Sequence, residues 1–128
     1  MKKSIFLIVL LALTTWATAQ DYTFKRVFLS SGGLLKIAGE VSIVGDTIIS
    51  INTNGVISPF KVNIETNTPE FKQFKSNQVN GDLEQRFKFN FPTQTVGLKK
   101  DEIGTLVYDA KDNFTGTMSS MTYYLIPK

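Results

Sequence analysis

The Asn54-Gly55 pair constrains the fold more than any other segment of the chain. Asn-Gly is the preferred pair for a type I′ turn, because both central residues need positive φ. A two-residue loop there sets Thr53 opposite Val56, Ile51 opposite Ser58 and Ile49 opposite Phe60. Strand side chains alternate between faces. Ile49, Ile51, Val56, Phe60 and Val62 therefore share one face, and Ser50, Asn52 and Lys61 share the other. Turn chemistry and face pattern specify the same register. Pro59 has no N–H to donate to a ladder, so its strand is expected at an edge or with a bulge.

The same grammar recurs along the chain: short runs of β-branched and aromatic residues, punctuated by Gly, Asn, Asp and Pro. The predicted strands are Tyr22–Leu29, Glu40–Val44, Thr47–Thr53, Val56–Ile64, Phe71–Val79, Leu83–Phe91, Ile103–Asp109 and Met118–Ile126. No window has the apolar spacing of an amphipathic helix; residues 98–102 are expected to make one turn at most. Asn80-Gly81 marks a second hairpin. A two-residue loop sets Phe74 opposite Phe87, which is favourable, and Lys75 opposite Arg86, which is not; a bulged loop is the alternative. Phe87, Phe89 and Phe91 alternate with Arg86, Lys88 and Asn90, as in a half-buried strand. The last strand is apolar on both faces near its end and is expected to close the sheet. Eight antiparallel strands predict an all-β fold, a small barrel-like meander, with a two-sheet sandwich as the alternative. Several strands are shorter than the ~9–11 residues of a membrane-spanning strand, and an outer-membrane barrel is not expected.

Residues 1–19 read as a secretory signal peptide: Lys2 and Lys3, an apolar run from Ile5 to Leu13, then Ala17-Thr18-Ala19. The run is too short for a membrane span of about 20 residues, and no cysteine follows it to accept a lipid. Residues 20–128 form the expected single mature domain, with no transmembrane segment. Setting residues 1–19 aside lowers the formal charge from +3 to +1, with 12 basic against 11 acidic residues. That balance argues against a nucleic-acid partner, which a strongly basic surface would attract.

The chain has no cysteine and no histidine. Disulfides, thiol nucleophiles, Cys or His metal sites and every imidazole-based triad are therefore excluded. Acid–base chemistry would fall to carboxylates, and Asp82 and Glu84, two apart beside the Asn80-Gly81 turn, are the pair a glycan hydrolase would use. They read more simply as solvated turn acids. Asp109, Asp112 and Asn113 offer oxygens for calcium but lack EF-hand spacing. Ser30-Ser31-Gly32-Gly33 reads as a flexible turn rather than a phosphate loop, and Lys99-Lys100-Asp101-Glu102 as a mixed-charge surface loop. Ser119 and Ser120 have no imidazole to activate them. No catalytic residue, metal site or cofactor is assigned.

The aromatic residues are numerous enough to line a ligand cavity, with Phe60, Phe74, Phe87, Phe89, Tyr108 and Tyr123 the candidates, and equally what a core this small needs for filling. Lys72, Lys75, Arg86 and Lys88 form either a basic patch or edge-strand lysines that discourage aggregation. The N-terminal MKK…ATAQ pattern and the ending DNFTGTMSSMTYYL resemble small exported β-rich proteins of Bacteroidota. The resemblance implies export and a β-rich fold and transfers no functional residue. With no room for an added C-terminal sorting domain, the periplasm is favoured over the medium. The functional expectation is a non-enzymatic binding module for a small apolar ligand or an envelope protein. A structural protein pairing through an edge strand is the alternative, and a carboxylate-based glycan hydrolase comes third.

Overall fold

The structure is a computed structural model that describes residues 19–76, 83–93 and 97–128. The signal-peptide pattern up to Thr18, the Asn80-Gly81 turn and Asp82 lie outside the described residues. Ten strands follow in order: β1 Ala19–Phe24, β2 Val27–Leu29, β3 Gly33–Leu35, β4 Gly39–Val44, β5 Ile48–Thr53, β6 Val56–Asn67, β7 Phe71–Ser76, β8 Leu83–Asn90, β9 Gly104–Asp112 and β10 Met118–Pro127. Strands β4 to β10 form an antiparallel meander, each paired with the next. β1 pairs with β4 on one side and with β10 on the other, through Tyr22 with Pro127 and Thr23 with Ile126. Eight strands therefore close a barrel, and β2 and β3 lie outside the ring along β10. The barrel is the predicted one, and the sandwich alternative falls. No helix among the described residues is long and apolar enough to cross a membrane.

The Asn54-Gly55 hairpin has the predicted register, including Ile51 with Ser58 and Ile49 with Phe60. Asn54 and Gly55 take φ of 52° and 85°, the left-handed pair a type I′ turn requires. The Asn52 side-chain oxygen accepts the Gly55 N–H at 3.0 Å. Pro59 stands opposite Ser50. Counting outward from the turn, that pair is not hydrogen-bonded, so the proline nitrogen points away from β5. The described pairing of β6 with β7 begins at Val62, and β6 carries a bulge between Ile64 and Thr66. The second hairpin also has its two-residue register, with Phe74 opposite Phe87 and Lys75 opposite Arg86. Its unfavourable like-charge pair is relieved by Glu65 and Glu84, whose carboxylates bind Arg86 at 3.3 and 3.1 Å.

Three expectations need correction. Tyr22–Leu29 is not one strand. Between the pairs Thr23–Ile126 and Val27–Tyr123, four steps on the first strand meet three on β10. That extra residue is a β-bulge at Lys25-Arg26, where the chain leaves β4. Ser30-Ser31-Gly32-Gly33 is not a loose turn either: Gly33, at φ 88°, opens β3 and pairs with Leu29. The basic stripe is not on an edge, because β7 and β8 are internal to the ring. Lys72 shares the face of Phe74, while Lys75, Arg86 and Lys88 face outward, as expected for positions three apart on a strand. Lys88 is itself paired with Asp109 at 3.0 Å.

The barrel interior is packed with side chains, as eight strands allow. Phe24, Phe74, Phe87, Phe89, Leu106 and Leu125 are sealed from solvent, with Val41, Ile43, Ile49 and Val62 around them. Edge-on ring contacts join Phe74 to Phe89 at 5.9 Å and Phe24 to Tyr123 at 5.0 Å. Gly39 faces this core, where a Cβ would overlap the Asn52 carbonyl oxygen and the Phe24 ring. Gly39→Ala should therefore destabilise the barrel by about 3 kcal/mol through overpacking. Gly32→Ala, whose Cβ meets only Leu29 Cδ1 at 3.9 Å, should stay within about 0.5 kcal/mol. Urea unfolding of the two variants checks this, and equal midpoints would refute it.

Candidate functional site

The six aromatic candidates divide along the barrel axis. Phe74, Phe87 and Phe89 are fully buried. Phe60, Tyr108 and Tyr123 lie at the end where the β5–β6 and β9–β10 hairpins turn. With Ile51, Thr53 and Ser58 they line an open cavity of about 140 Å³. Its floor is an aromatic cluster, with Phe60 at 5.0 Å from Phe87 and 6.0 Å from Tyr108, and Phe87 at 5.2 Å from Tyr108. Gln85 Nε2 donates to the Tyr108 hydroxyl at 2.6 Å, and the Tyr123 hydroxyl contacts Met121 Sδ at 3.9 Å. Burial, and secondarily Tyr108, pushes the Tyr123 phenol above its usual range, so it stays protonated at neutral pH. Ile51, Thr53 and Ser58 are not aromatic, and an aromatic count does not point to them. The Asn54-Gly55 register already placed them on the face of Phe60, and that was the available signal.

The hairpin turns at this end of the barrel carry exposed apolar side chains, with Ile57, opposite Asn52, on the outer face. Val56 is 69 % exposed, Ile57 62 % and Phe114 86 %. Val56 keeps its predicted face parity but stands beyond the end of the core. Phe114 sits on a tightly built turn: Asp112 Oδ1 accepts the N–H of Phe114 at 2.8 Å, and the Gly116 N–H bonds the Asp112 carbonyl at 2.8 Å. Asp112 thereby caps the turn. Asp109, three positions earlier and so on the opposite face, binds Lys88 and accepts the Ser120 hydroxyl at 2.5 Å. Burial raises its carboxyl, but the bonds from Ser120 and Lys88 outweigh this and hold it low. Among the described residues, no three His, Cys, Asp or Glu side chains converge on a metal position. Glu84 points to the outer wall, where the hydrogen bond from Arg86 holds its carboxyl below the usual range. A general acid needs the reverse shift.

Glu102 corrects the surface-loop expectation. The predicted turn exists, closed by Glu102 N–H to the Lys99 carbonyl at 3.0 Å, but the Glu102 side chain is buried. Arg26 from the bulge grips it with two bonds, Nε to Oε2 at 2.8 Å and Nη2 to Oε1 at 2.6 Å. The Lys99 N–H adds a third at 2.7 Å. The guanidinium lies over the Tyr124 ring, 3.7 Å from its centroid, and Nη2 also reaches the Gly97 carbonyl at 3.1 Å. No sequence signal marks this pair, because its members are 76 residues apart.

Comparison with protein-family models, curated proteins and solved structures finds no match to this chain.

The Arg26 hydrogen bond, opposed by burial and helped by the Lys99 N–H, holds the Glu102 carboxyl below its usual range. The pair therefore stabilises fully above the ordinary glutamate value of about 4.3. That stabilisation is lost as pH falls from there through the lower folded-state value. Glu102→Gln leaves a mostly buried guanidinium without its counter-charge and should cost about 3 kcal/mol at neutral pH. The variant should also lose less stability than wild type on acidification. Glu65→Gln on the half-exposed outer wall should cost less than about 1 kcal/mol. Urea unfolding across neutral and acidic pH measures both, and an acid dependence unchanged by Glu102→Gln would refute the assignment.

Proposed function

We propose that the protein is an exported, non-enzymatic binding module that engages an envelope protein at the apolar barrel mouth. The observation that carries this reading is a cavity sized for a single ring at the end of the barrel whose hairpin turns expose Val56 and Phe114. A dry cavity of about 150 Å³ holds one benzene, so about 140 Å³ receives one aromatic or large aliphatic side chain. A ligand confined to that cavity would leave Val56 and Phe114 uncovered. A protein surface would cover them, with Phe114 as an aromatic anchor held by a rigid turn. The N-terminal pattern of residues 1–19 supports export, with the periplasm the favoured compartment. The missing imidazole and thiol, together with the lowered Glu84 carboxyl, support binding over catalysis.

A second reading has its own observation. Among the described residues β3 pairs only with β2, leaving one edge with unpaired backbone groups beside exposed Leu34 and Leu35. That edge suits an added strand from another chain.

A photo-crosslinker at position 114 tests the first reading in host envelopes. A discrete protein adduct is expected. Ser58→Trp, which fills the cavity, should abolish it, while Ile48→Trp at the opposite end should not. Phe114→Ala should weaken the isolated complex about tenfold or more, as for an aromatic hot spot. An adduct indifferent to Ser58→Trp, or none at all, would refute the mouth as the site. A crosslinker at Leu34 that alone captures the partner would move the interface to β3.

A further inference from the structure

A second concavity, on the outer wall, has a chemistry unlike the mouth. It lies where the Lys25-Arg26 bulge turns the chain from β4 toward β3, and it encloses about 340 Å³. That volume is within the range of small-molecule sites, which the mouth cavity is not. Its base is the Arg26–Glu102 pair, fixed by two charge-assisted bonds and by the Tyr124 ring beneath the guanidinium. Arg26 and Glu102 cancel each other's charge. Leu34 of β3 and Ile126 of β10 supply apolar wall.

The rim is cationic. Lys25, Lys36 and Lys99 line the groove against Asp101 alone. Lys25 reaches Asp101 only at 4.0 Å, with side chains 76 % and 53 % exposed, so that pair is weak. Among the described residues Lys36 and Lys99 have no ion pair. Four cations against two acids give the groove a formal charge of +2. Residues 20–128 together carry only +1, so the rest of that region has a formal charge of −1. The net positive excess of residues 20–128 therefore lies at one concave site, where walls of low dielectric strengthen its field.

We infer that this groove binds an amphiphilic anion, a phosphate or carboxylate head on a short aliphatic stem. The head sits between the Lys36 and Lys99 ammonium groups, and the stem lies along Leu34 and Ile126, beside the lysine methylenes. The fixed base requires no rearrangement for binding, which lowers the entropy lost on association. The site is separate from the barrel mouth and does not depend on how the mouth is used.

Titration of the ¹⁵N-labelled protein with octyl phosphate below its micelle concentration tests the inference. Saturable shifts are expected at the amides of Leu34, Lys36, Lys99, Glu102 and Ile126. Octanoate should behave similarly. Inorganic phosphate, which lacks the stem, and octyl glucoside, which lacks the charge, should each bind about tenfold more weakly or worse. The exposed Lys36→Glu/Lys99→Glu double variant should keep the wild-type unfolding midpoint and lose octyl phosphate binding. Equal affinity for inorganic and octyl phosphate, shifts centred outside the groove, or binding unchanged in the double variant would each overturn the site. Phosphatidylglycerol and phosphatidylcholine vesicles separate the two sources of such an anion. Selective phosphatidylglycerol binding lost in the double variant, alongside octyl phosphate binding, makes a membrane lipid the source. Octyl phosphate binding without vesicle binding makes it a free amphiphile. Vesicle binding without octyl phosphate binding overturns the groove.

Discussion

A ring of eight strands closes only if the last strand finds the first, and in this chain the first strand must also leave the ring. β1 satisfies β4 and β10 as far as Thr23, then gains one residue at Lys25-Arg26 and continues along β10 as β2. The bulge aims Arg26 at Glu102, on the loop that leads into β9. A buried ion pair adds little net stability over apolar packing, but a buried charge left alone costs several kcal/mol. A register shifted by one residue would rotate Arg26 away and strand Glu102. The pair therefore acts at the seam chiefly against wrong closures. Its location also explains the outer groove: a strand that changes neighbours at a bulge leaves a concavity beside it.

The aromatic residues then divide two tasks that their spacing alone does not separate. Phe74, Phe87 and Phe89 meet across β7 and β8 at the middle of the barrel and exclude solvent. Phe60, Tyr108 and Tyr123 follow the same inward alternation and line the open cavity. The hydroxyls of the two tyrosines are tolerated there because Gln85 and Met121 meet them. A solid core and a small cup come from the same inward alternation.

This explains which features were legible in the sequence. The Asn54-Gly55 and Phe74–Phe87 registers were, because each depends on a turn and its immediate flanks. So was closure by β10, whose end is apolar on both faces and so fits a well-covered position. The bulge was not: Tyr22–Leu29 has an unbroken strand composition, and the extra residue is visible only against a partner about a hundred positions away. β3 was hidden by its three-residue length behind Gly32 and Gly33. Glu102 was misread because Lys99, Lys100 and Asp101 around it are ordinary surface residues, and burial came from Arg26 in another part of the chain. For the cavity, the face was predictable and the height was not, since height follows from strand stagger around the closed ring.

Net charge shows the same loss of positional information. A formal +1 over residues 20–128 argues against polyanion binding when treated as uniform. On the outer wall of β7, β8 and β9 that treatment holds. Glu65, Glu84 and Asp109 occupy the gaps between Arg86 and Lys88, and the patch is neutralised where it stands. At the seam it fails. Lys25, Lys36 and Lys99 come from three separate segments, and the only buried acid among the described residues is already bound to Arg26. Exposed lysines that share one concavity with a single exposed acid, Asp101, repel one another. An anionic occupant relieves that repulsion, and two apolar wall residues restrict which anions gain most from it. The selectivity of such a site lies in combining charge with apolar contact, because either alone is available elsewhere on the surface.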